Sequence, residues 1–279
     1  MTSRLGADPP FGPFVLSTLP ILMYHGIDEG FRGRLAPLNV SSSLLTGHLE
    51  TLRATGYLLS GVSEALDAID GGDHRPRVAL TFDDAYEGFA EVVLPILASH
   101  HVRATVYVPV AHIGDKATWL TEPPAAGARV MSWASLYDVA RSGVEIGSHG
   151  WDHRPMDVLN PDSARQMLIR SRRELIDSLQ IPVRSFCYPH GYSSPSLRAA
   201  VQSSSYDNAV VIGHRVYALQ TDRFRMERLM VRPDTSPSDL VRNVARLRAA
   251  TVARVKSRLE SPWRLARRAS RLLPMRELT

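Results

Sequence analysis

Four side chains at the ends of two predicted strands have the types and spacing of a hydrolytic metal site. Asp83 and Asp84 directly follow the apolar run VALTF, and His149 and His153 follow the run VEIGS. Two adjacent carboxylates repel each other, so the pair needs a physical reason. One carboxylate and two imidazoles four residues apart can bind a divalent cation and leave positions open. The cation offsets the repulsion, and the second carboxylate can act as a base on a polarised water.

Each pair of residues also has a simpler interpretation. An aspartate after a strand is a favoured N-cap of the next helix, and a lone histidine pair at this spacing is more often a surface feature. In parallel α/β folds, however, reactive groups collect at the carboxyl ends of strands. Because both pairs occupy such ends, their combination favours a metal site.

Predicted strands and helices alternate along the chain. The predicted strands cover 20–26, 77–82, 103–109, 144–149, 183–189 and 208–213. The predicted helices cover 43–56, 86–101 (kinked at Pro95), 132–143, 160–179 and 236 to about 259. This alternation predicts parallel strands, and about seven strand–helix units favour a barrel over an open sheet. No glycine-rich phosphate loop follows a strand, which argues against a dinucleotide-binding sheet.

The ends of the chain differ in composition from its body. Residues 1–18 are interpreted as a leader, because the apolar stretch 11–23 is broken by prolines and too short to span a bilayer. Residues 242–279 contain eleven basic and two acidic residues, a net charge of +9 in a chain of +5 overall. The one cysteine, Cys187, excludes an intramolecular disulfide and suits the cytosol.

Residues 246–279 are predicted to form a basic amphipathic helical tail. Two interpretations of this tail remain open. It packs on the main domain with a solvated basic face, or it lies on an anionic membrane surface with Trp263 as an anchor. Nucleic acid is not expected, because no recognition motif accompanies the basic residues. We therefore expect a cytoplasmic protein that the tail can hold peripherally at the inner membrane surface.

The segments TFDDAYEG, SHGWDH and FCYPHG, in this order and spacing, resemble the first three motifs of the polysaccharide deacetylases. This is the NodB-homology or carbohydrate esterase family 4 group. The opening PILMYHGI is similar to the first strand of the branch that contains exopolysaccharide N-deacetylases. The resemblance covers roughly residues 19–232. It implies a NodB-type α/β fold, a distorted (β/α)7–8 barrel, here spanning 19–245 with the basic helical extension after it.

The resemblance also implies an activity. The expected reaction is metal-dependent hydrolysis of N-acetyl groups on amino sugars, in a glycan, a glycolipid or a small glycoside. Zinc is the first expectation for the divalent metal, with Co, Ni or Mn as alternatives. Two other functions stay open: an O-acetyl esterase acting on carbohydrate with the same site, or a degenerate barrel that binds glycan without turnover.

Roles for individual residues follow from the resemblance. Asp83 is the general base, and the metal ligands are Asp84, His149 and His153. His25, in the YH of the first strand, is the general acid. A buried, hydrogen-bonded core histidine is the alternative for His25.

The third motif implies contacts with the substrate. Tyr188 and Pro189 precede the backbone N–H of His190, which would help to hold the oxyanion. Trp151 and Tyr192 would line the sugar groove, although packing explains them equally well.

Three positions depart from the family pattern. Ala85 replaces a glycine and is expected to be tolerated with a negative φ. Cys187 stands where many members have an arginine that orients the base, and whether Arg184 reaches the base instead stays open. The late Leu-x-His motif that usually supplies the acid is missing, since 226–233 read MERLMVRP.

Overall fold

The computed structural model describes residues 18–73, 75–121, 127–219 and 221–245. The strands within these ranges are β1 (Thr18–Leu19), β2 (Ile21–Tyr24), β3 (Gly26–Ile27), β4 (Asn39–Val40), β5 (Leu58–Ser60), β6 (Arg77–Phe82), β7 (Thr105–Val108), β8 (Glu145–Ser148), β9 (Ser185–Cys187), β10 (Asn208–Ile212), β11 (Tyr217–Ala218) and β12 (Met226–Met230). Both the predicted leader, apart from Thr18, and the predicted basic tail lie outside the described residues.

Seven parallel strands in the described part of the chain close into a barrel. Around it the order is β2, β6, β7, β8, β9, β10 and β12, and β12 pairs again with β2. β5 pairs parallel with the first half of β6, and β1 pairs antiparallel with β11. The predicted barrel is therefore confirmed.

The helices connect successive strands on the outside of the barrel. They are α1 (Ser42–Ala54), α2 (Val62–Asp70), α3 (Leu94–Ser99), α4 (Trp133–Arg141), α5 (Pro161–Leu179), α6 (Pro195–Ser203) and α7 (Pro237–Ala245). Ser132, Asn160 and Ser236 accept backbone N–H bonds at the starts of α4, α5 and α7. Each such cap stabilises its helix by about 1 kcal/mol. No helix in the described ranges is long and apolar enough to cross a membrane.

The helix predicted over 86–101 is irregular in its first half. Its first turns, Phe89–Val93, are π-helical, and the α-helical part is only Leu94–Ser99. Pro95 lies where the π-helical turns pass directly into α3, since the backbone at Val93 and Leu94 is helical. The predicted helix therefore changes its type at the proline, which cannot donate a backbone hydrogen bond to the preceding turn.

Alternate residues of the barrel strands face two different cores. Leu80, Val106 and Phe186 belong to the layer between the strands and the helices. Ala79, Tyr107, Cys187, Val210 and Met226 fill the inside of the barrel, together with apolar side chains of α2 that close one end. This period of two decides which strand residues can reach a site inside the mouth of the barrel.

Candidate metal centre and active site

Strand register brings the first candidate residues together at one end of the barrel. Tyr24 of β2 pairs with Phe82 of β6, so His25 and Asp83 leave adjacent strands side by side. The Asp83 N–H donates to the Tyr24 carbonyl at 2.9 Å, which continues the ladder to the mouth. His149 leaves β8 at the same end, and its backbone N–H donates to the Val108 carbonyl. The mouth therefore gathers residues far apart in sequence.

Both aspartates reach the mouth because the chain turns sharply after Asp83. Asp84 has φ 73° and Ala85 has φ 52°, both in the left-handed region. The negative φ under which an alanine is tolerated without strain is therefore not the one that Ala85 adopts. A non-glycine residue in this region costs roughly 1–2 kcal/mol. The turn directs the second carboxylate toward the same opening as the first, and strained backbone of this kind concentrates at functional sites.

The predicted metal ligands lie within contact of one another. The Asp84 Oδ1 atom is 3.4 Å from His149 Nε2 and 3.1 Å from His153 Nε2. All three side chains are buried, and their ligand atoms lie within 4.8 Å of one another. Tetrahedral Zn²⁺ with bonds of roughly 2.0–2.1 Å separates its ligand atoms by about 3.3 Å, which matches this spacing.

The hydrogen bonding of these residues also fits a cation. Asp84 Oδ1 is buried and has no hydrogen-bond partner among the described residues. His149 Nδ1 lies 2.9 Å from the Cys187 carbonyl, so that nitrogen donates and Nε2 is left with a lone pair for a metal. A buried carboxylate oxygen facing two imidazole nitrogens is what a divalent cation would satisfy. The donor set therefore fits the expected metal.

Two aromatic residues support the ligands from outside. The Tyr86 hydroxyl donates to Asp84 Oδ2 at 2.6 Å, which leaves Oδ1 for the cation. The Trp119 ring stacks on His153 with centroids 4.4 Å apart. Burial raises the pKa of Asp84, but the two neighbouring histidines outweigh it and hold that pKa well below its ordinary value. Asp84 is thus a carboxylate ready to bind a cation.

A buried arginine holds the other aspartate. The Nη1 and Nη2 atoms of Arg228 donate to Asp83 Oδ1 and Oδ2, each at 2.7 Å. Arg228 lies on β12 at an inward-facing position and is 1% exposed. Burial raises the pKa of Asp83, and the Arg228 guanidinium, with smaller effects of the neighbouring histidines, brings it below the ordinary value. Asp83 therefore carries its charge even though it is buried.

His25 lies beside the same carboxylate. Its Nε2 is 3.8 Å from Asp83 Oδ2, and its side chain is 13% exposed at the mouth. Burial lowers the pKa of His25, while the nearby Asp83 and Asp84 oppose that shift. Among the described residues, no hydrogen bond ties the ring into the core in the manner of His48, which bonds to both Tyr24 and Thr235. The position suits a proton donor better than a structural core histidine.

A second group of possible metal ligands occurs deeper in the barrel. The ligand atoms of Asp83, His149 and Cys187 also lie within 4.8 Å of one another. However, the Arg228 Nη2 atom is 3.1 Å from Cys187 Sγ and already pairs with Asp83. Because a cation there would meet a fixed positive charge, the Asp84, His149 and His153 group is the better metal site.

The third motif contributes backbone more than side chains. The Tyr188 ring packs against Phe186 in the outer core, and its hydroxyl donates to the Phe224 carbonyl at 2.9 Å. Pro189 starts a tight turn in which the Gly191 N–H donates to the Tyr188 carbonyl, so the turn does not use the His190 N–H for that bond.

The side chains that follow this turn lie at the mouth. The His190 ring lies 4.8 Å from that of His153, and Tyr192 stacks on His190 at 6.3 Å. His190 and Tyr192 therefore form an aromatic wall next to the metal ligands.

Two other candidates are occupied elsewhere. The Trp151 ring packs on the outer core, and the Arg170 guanidinium covers one face at 3.5 Å. Arg184 pairs with Asp67 and Asp207 and does not contact Asp83. Arg184 therefore does not take the role of the arginine missing at 187.

Sequence reasoning missed Arg228, Tyr86 and Trp119. The segment MERLM lacks the histidine motif of the family. Its alternating pattern is nevertheless that of a strand, which turns Met226 and Arg228 inward. Tyr86 directly follows the aspartate turn, and Trp119 lies between β7 and α4. Neither carries a signal of its contacts before the fold is known.

Comparison with known proteins identifies the family. The polysaccharide deacetylase family model matches residues 70–209, half of the chain. The chain therefore belongs to the polysaccharide deacetylase family. It is 26% identical over 224 residues to YxkH of Bacillus subtilis, a protein assigned to the polysaccharide deacetylases, covering 79% of this chain and 74% of that protein.

A second relative is an exopolysaccharide enzyme. The chain is 32% identical over 139 residues to the poly-β-1,6-N-acetyl-D-glucosamine N-deacetylase of Escherichia coli K12. This match covers 47% of the chain but only 20% of that much longer protein.

Solved structures of deacetylases share the fold. The deacetylase PplD of Streptococcus pyogenes superposes with a TM-score of 0.70 at 21% identity, covering 81% of this chain and 98% of that chain. IcaB of Ammonifex degensii superposes with a TM-score of 0.68 at 21% identity, covering 82% and 98%. At these identities the likeness concerns the fold alone.

Proposed function

We propose that the protein is a metal-dependent hydrolase that removes N-acetyl groups from N-acetylated amino sugars. One observation carries the proposal. A buried, unpartnered carboxylate oxygen of Asp84 faces two imidazole nitrogens, and a second, arginine-held carboxylate, Asp83, lies beside it. The first arrangement suits a cation and the second suits a base, which are the two parts that amide hydrolysis by water requires.

The proposed role of each residue follows from the groups that surround it. Asp84, His149 and His153 would hold the metal, which supplies a Lewis acid that polarises the carbonyl and acidifies water. Asp83 accepts the proton of the attacking water, because it is ionised and its Oδ2 lies close to His25 at the mouth. His25 protonates the leaving amine. Its Nε2 lies 3.8 Å from the Asp83 oxygen, so base and acid can serve the same small reacting group.

The mouth has groups suited to the rest of the substrate. The His190 N–H, in the turn after Pro189, is the proposed oxyanion donor. Trp119 and His190 both lie against His153, and Tyr192 stacks on His190, so aromatic surfaces for a sugar ring adjoin the metal ligands. The Escherichia coli relative acts, by its name, on poly-β-1,6-N-acetyl-D-glucosamine. That polymer is therefore the first substrate to test.

Two other functions predict different outcomes. An O-acetyl esterase would use the same groups on a more reactive acyl group, whose alkoxide leaving group depends less on an acid such as His25 than an amine does. A glycan-binding barrel without turnover would gain nothing from a charged base held at 2.7 Å by a buried arginine. The geometry of Asp83 therefore favours an enzyme, and the position of His25 favours an amide substrate.

Acetate release from a panel of saccharides tests the proposal. The panel contains N-acetylglucosamine oligomers with β-1,4 and β-1,6 linkages and matched O-acetylated sugars, each with and without a chelator. We expect chelator-sensitive release from the N-acetylated members. Release from O-acetylated members alone would identify an esterase, and tight binding without any release would identify a binding protein.

A further inference from the structure

Two backbone hydrogen bonds hold the left-handed turn at Asp84 in place. The Met131 N–H donates to the Ala85 carbonyl at 2.9 Å, and the Glu87 N–H donates to the Arg129 carbonyl at 3.0 Å. Both partners of the turn lie in the chain just before α4. Because strained backbone persists only where its surroundings over-determine it, these bonds help to fix the direction of the Asp84 carboxylate.

The Tyr86 ring extends this contact into a small apolar cluster that is separate from the two cores of the barrel. Its hydroxyl donates to Asp84 Oδ2 at 2.6 Å, and the residue is 2% exposed. The rim cluster, as we name it, joins Tyr86 to apolar side chains from the chain between β3 and β4 and the chain between β7 and α4. They include Phe31, Leu35, Leu38, Ala117, Trp119 and Leu120.

The rim cluster also contacts a metal ligand that follows a different strand. The Trp119 ring stacks on His153 with centroids 4.4 Å apart, and it lies 6.5 Å from the Tyr86 ring. Asp84 follows β6 and His153 follows β8, so one cluster contacts ligands from two strands. Groups that orient the ligands of a metal raise its affinity, because the ligand atoms must keep a fixed separation.

We propose that the rim cluster is a clamp that holds Asp84 and His153 at the separation a cation needs, with Tyr86 as the positioning residue for Asp84. Metal affinity then depends on the packing of the cluster, and by reciprocity a bound metal stabilises the cluster against local opening. The metal itself rests on the proposed function, whereas the clamp rests on the contacts above. Tyr86 acts through Asp84 and does not itself touch the reacting atoms.

The first test removes one hydroxyl and keeps the ring. Tyr86→Phe fills the rim cluster as before but leaves Asp84 Oδ2 without its donor. We expect the Kd for Zn²⁺, measured by competition with a chromophoric chelator, to rise by about 10- to 100-fold. The visible absorption of the Co²⁺-loaded protein should also change, because it reports ligand geometry. Tyr137→Phe, which removes an exposed hydroxyl on α4, is the control and should match the wild type in both measurements.

The second test weakens the packing of the cluster and keeps both of its aromatic contacts with the ligands. Leu120→Ala should lower the melting temperature and raise the Kd for Zn²⁺ by at least about fivefold, the lower end of the usual coupling between sites. Leu66→Ala, in the core inside the barrel, is the matched control. It should also lower the melting temperature, but it should leave the Kd unchanged.

The third measurement tests the reciprocal effect in the wild type. The amide protons of Glu87 and Met131, which bond the turn to the chain before α4, should exchange at least about fivefold more slowly when Zn²⁺ saturates the protein. The amide of Leu58, which bonds to the Pro76 carbonyl beside β5, should exchange at the same rate with and without the metal.

The possible results separate the clamp from a merely structural role and from the proposed function. A folded Tyr86→Phe protein with the wild-type Kd and Co²⁺ spectrum would overturn the positioning role. An unchanged Kd in Leu120→Ala, or an equal rise in Leu66→Ala, would overturn the coupling. If the wild type binds one Zn²⁺ and releases no acetate, the proposed reaction fails and the Kd values still decide the clamp. A wild type that binds no metal would overturn both.

Discussion

At the scale of single residues, two neighbouring aspartates differ in chemistry because they have different neighbours. Asp83 has both oxygens bonded to Arg228, whereas Asp84 has one oxygen bonded to Tyr86 and the other facing two imidazoles. The left-handed backbone at Asp84 turns the second carboxylate into the mouth. Adjacent side chains of the same type therefore support different proposed roles.

The first prediction separates these two roles. Asp83→Asn should retain one metal per chain and lose turnover by at least about 10²-fold, the usual lower size of a general-base effect. Asp84→Asn should lose the metal, because it removes an anionic ligand. Elemental analysis and acetate release measure both quantities. Loss of metal in Asp83→Asn with retention in Asp84→Asn would show that the roles are exchanged.

The second prediction concerns the acid. His25→Ala should lower kcat by about 10²-fold without loss of metal, and it should flatten the basic limb of the pH–rate profile. His101→Asn, which changes an exposed histidine beyond α3, is the control and should behave as wild type. A folded His25→Ala enzyme at the wild-type rate would leave His190 as the next candidate for the acid.

The candidate metal and base residues, and their position at strand ends, were predictable from the sequence. The side chains that they contact were not. Two pairs of site residues can be recognised from the sequence, Asp83 with Asp84 and His149 with His153, because each pair is local and follows an apolar run. The partnership of Arg228 with Asp83 depends on which strands become neighbours and on the register between them, which no local pattern encodes. The positive φ of Ala85 was missed because alanine seldom adopts it.

At the scale of elements, the loop between β3 and β4 packs against the start of the helical segment that follows the aspartates. Glu29 in this loop lies against Gly88, and Phe31 contacts Tyr86 edge to face with centroids 5.3 Å apart. Burial, with the nearby Glu91 and Glu87, raises the pKa of Glu29 to about 7. The loop therefore holds the Glu29 carboxyl group in a buried position that favours its neutral form.

The third prediction follows from this carboxyl group. A raised pKa means that the folded state binds the proton more tightly, so its stabilising contribution is complete below about pH 4.5 and is lost as pH rises through about 7. Glu29→Gln should therefore raise the free energy of unfolding by about 1 kcal/mol at pH 8 and leave it unchanged at pH 4, after allowance for partial exposure.

Denaturant unfolding at the two pH values measures the effect of this substitution. Glu50→Gln on the exposed face of α1 is the control and should show no such pH dependence. An equal change at both pH values would show that Glu29 acts through packing and not through its proton.

At the scale of the whole molecule, charge is distributed unevenly along the chain. Residues 242–279 carry a net charge of +9, whereas the whole chain carries +5. The rest of the chain therefore carries a net charge of −4. We propose that this segment, most of which lies outside the described residues, holds the protein at an anionic membrane surface. Each basic residue near such a surface contributes about 1 kcal/mol, and salt screens the attraction.

The fourth prediction tests the basic tail. A chain cut after Ala245 should keep its acetate release from soluble oligomers and lose co-sedimentation with anionic liposomes at low salt. The intact chain should bind the liposomes and be released by high salt. Insolubility of the shortened chain would show instead that the tail packs on the barrel. No binding by the intact chain would point to a different partner.

We expect catalysis to depend on one divalent cation held by Asp84, His149 and His153. The most direct measurement is acetate release from an N-acetylglucosamine oligomer by metal-stripped protein, titrated with Zn²⁺. We predict negligible release without metal, a linear rise, and saturation at one equivalent per chain, with no rise in His149→Ala. Full activity of the stripped protein, or a wild-type response in His149→Ala, would contradict the claim.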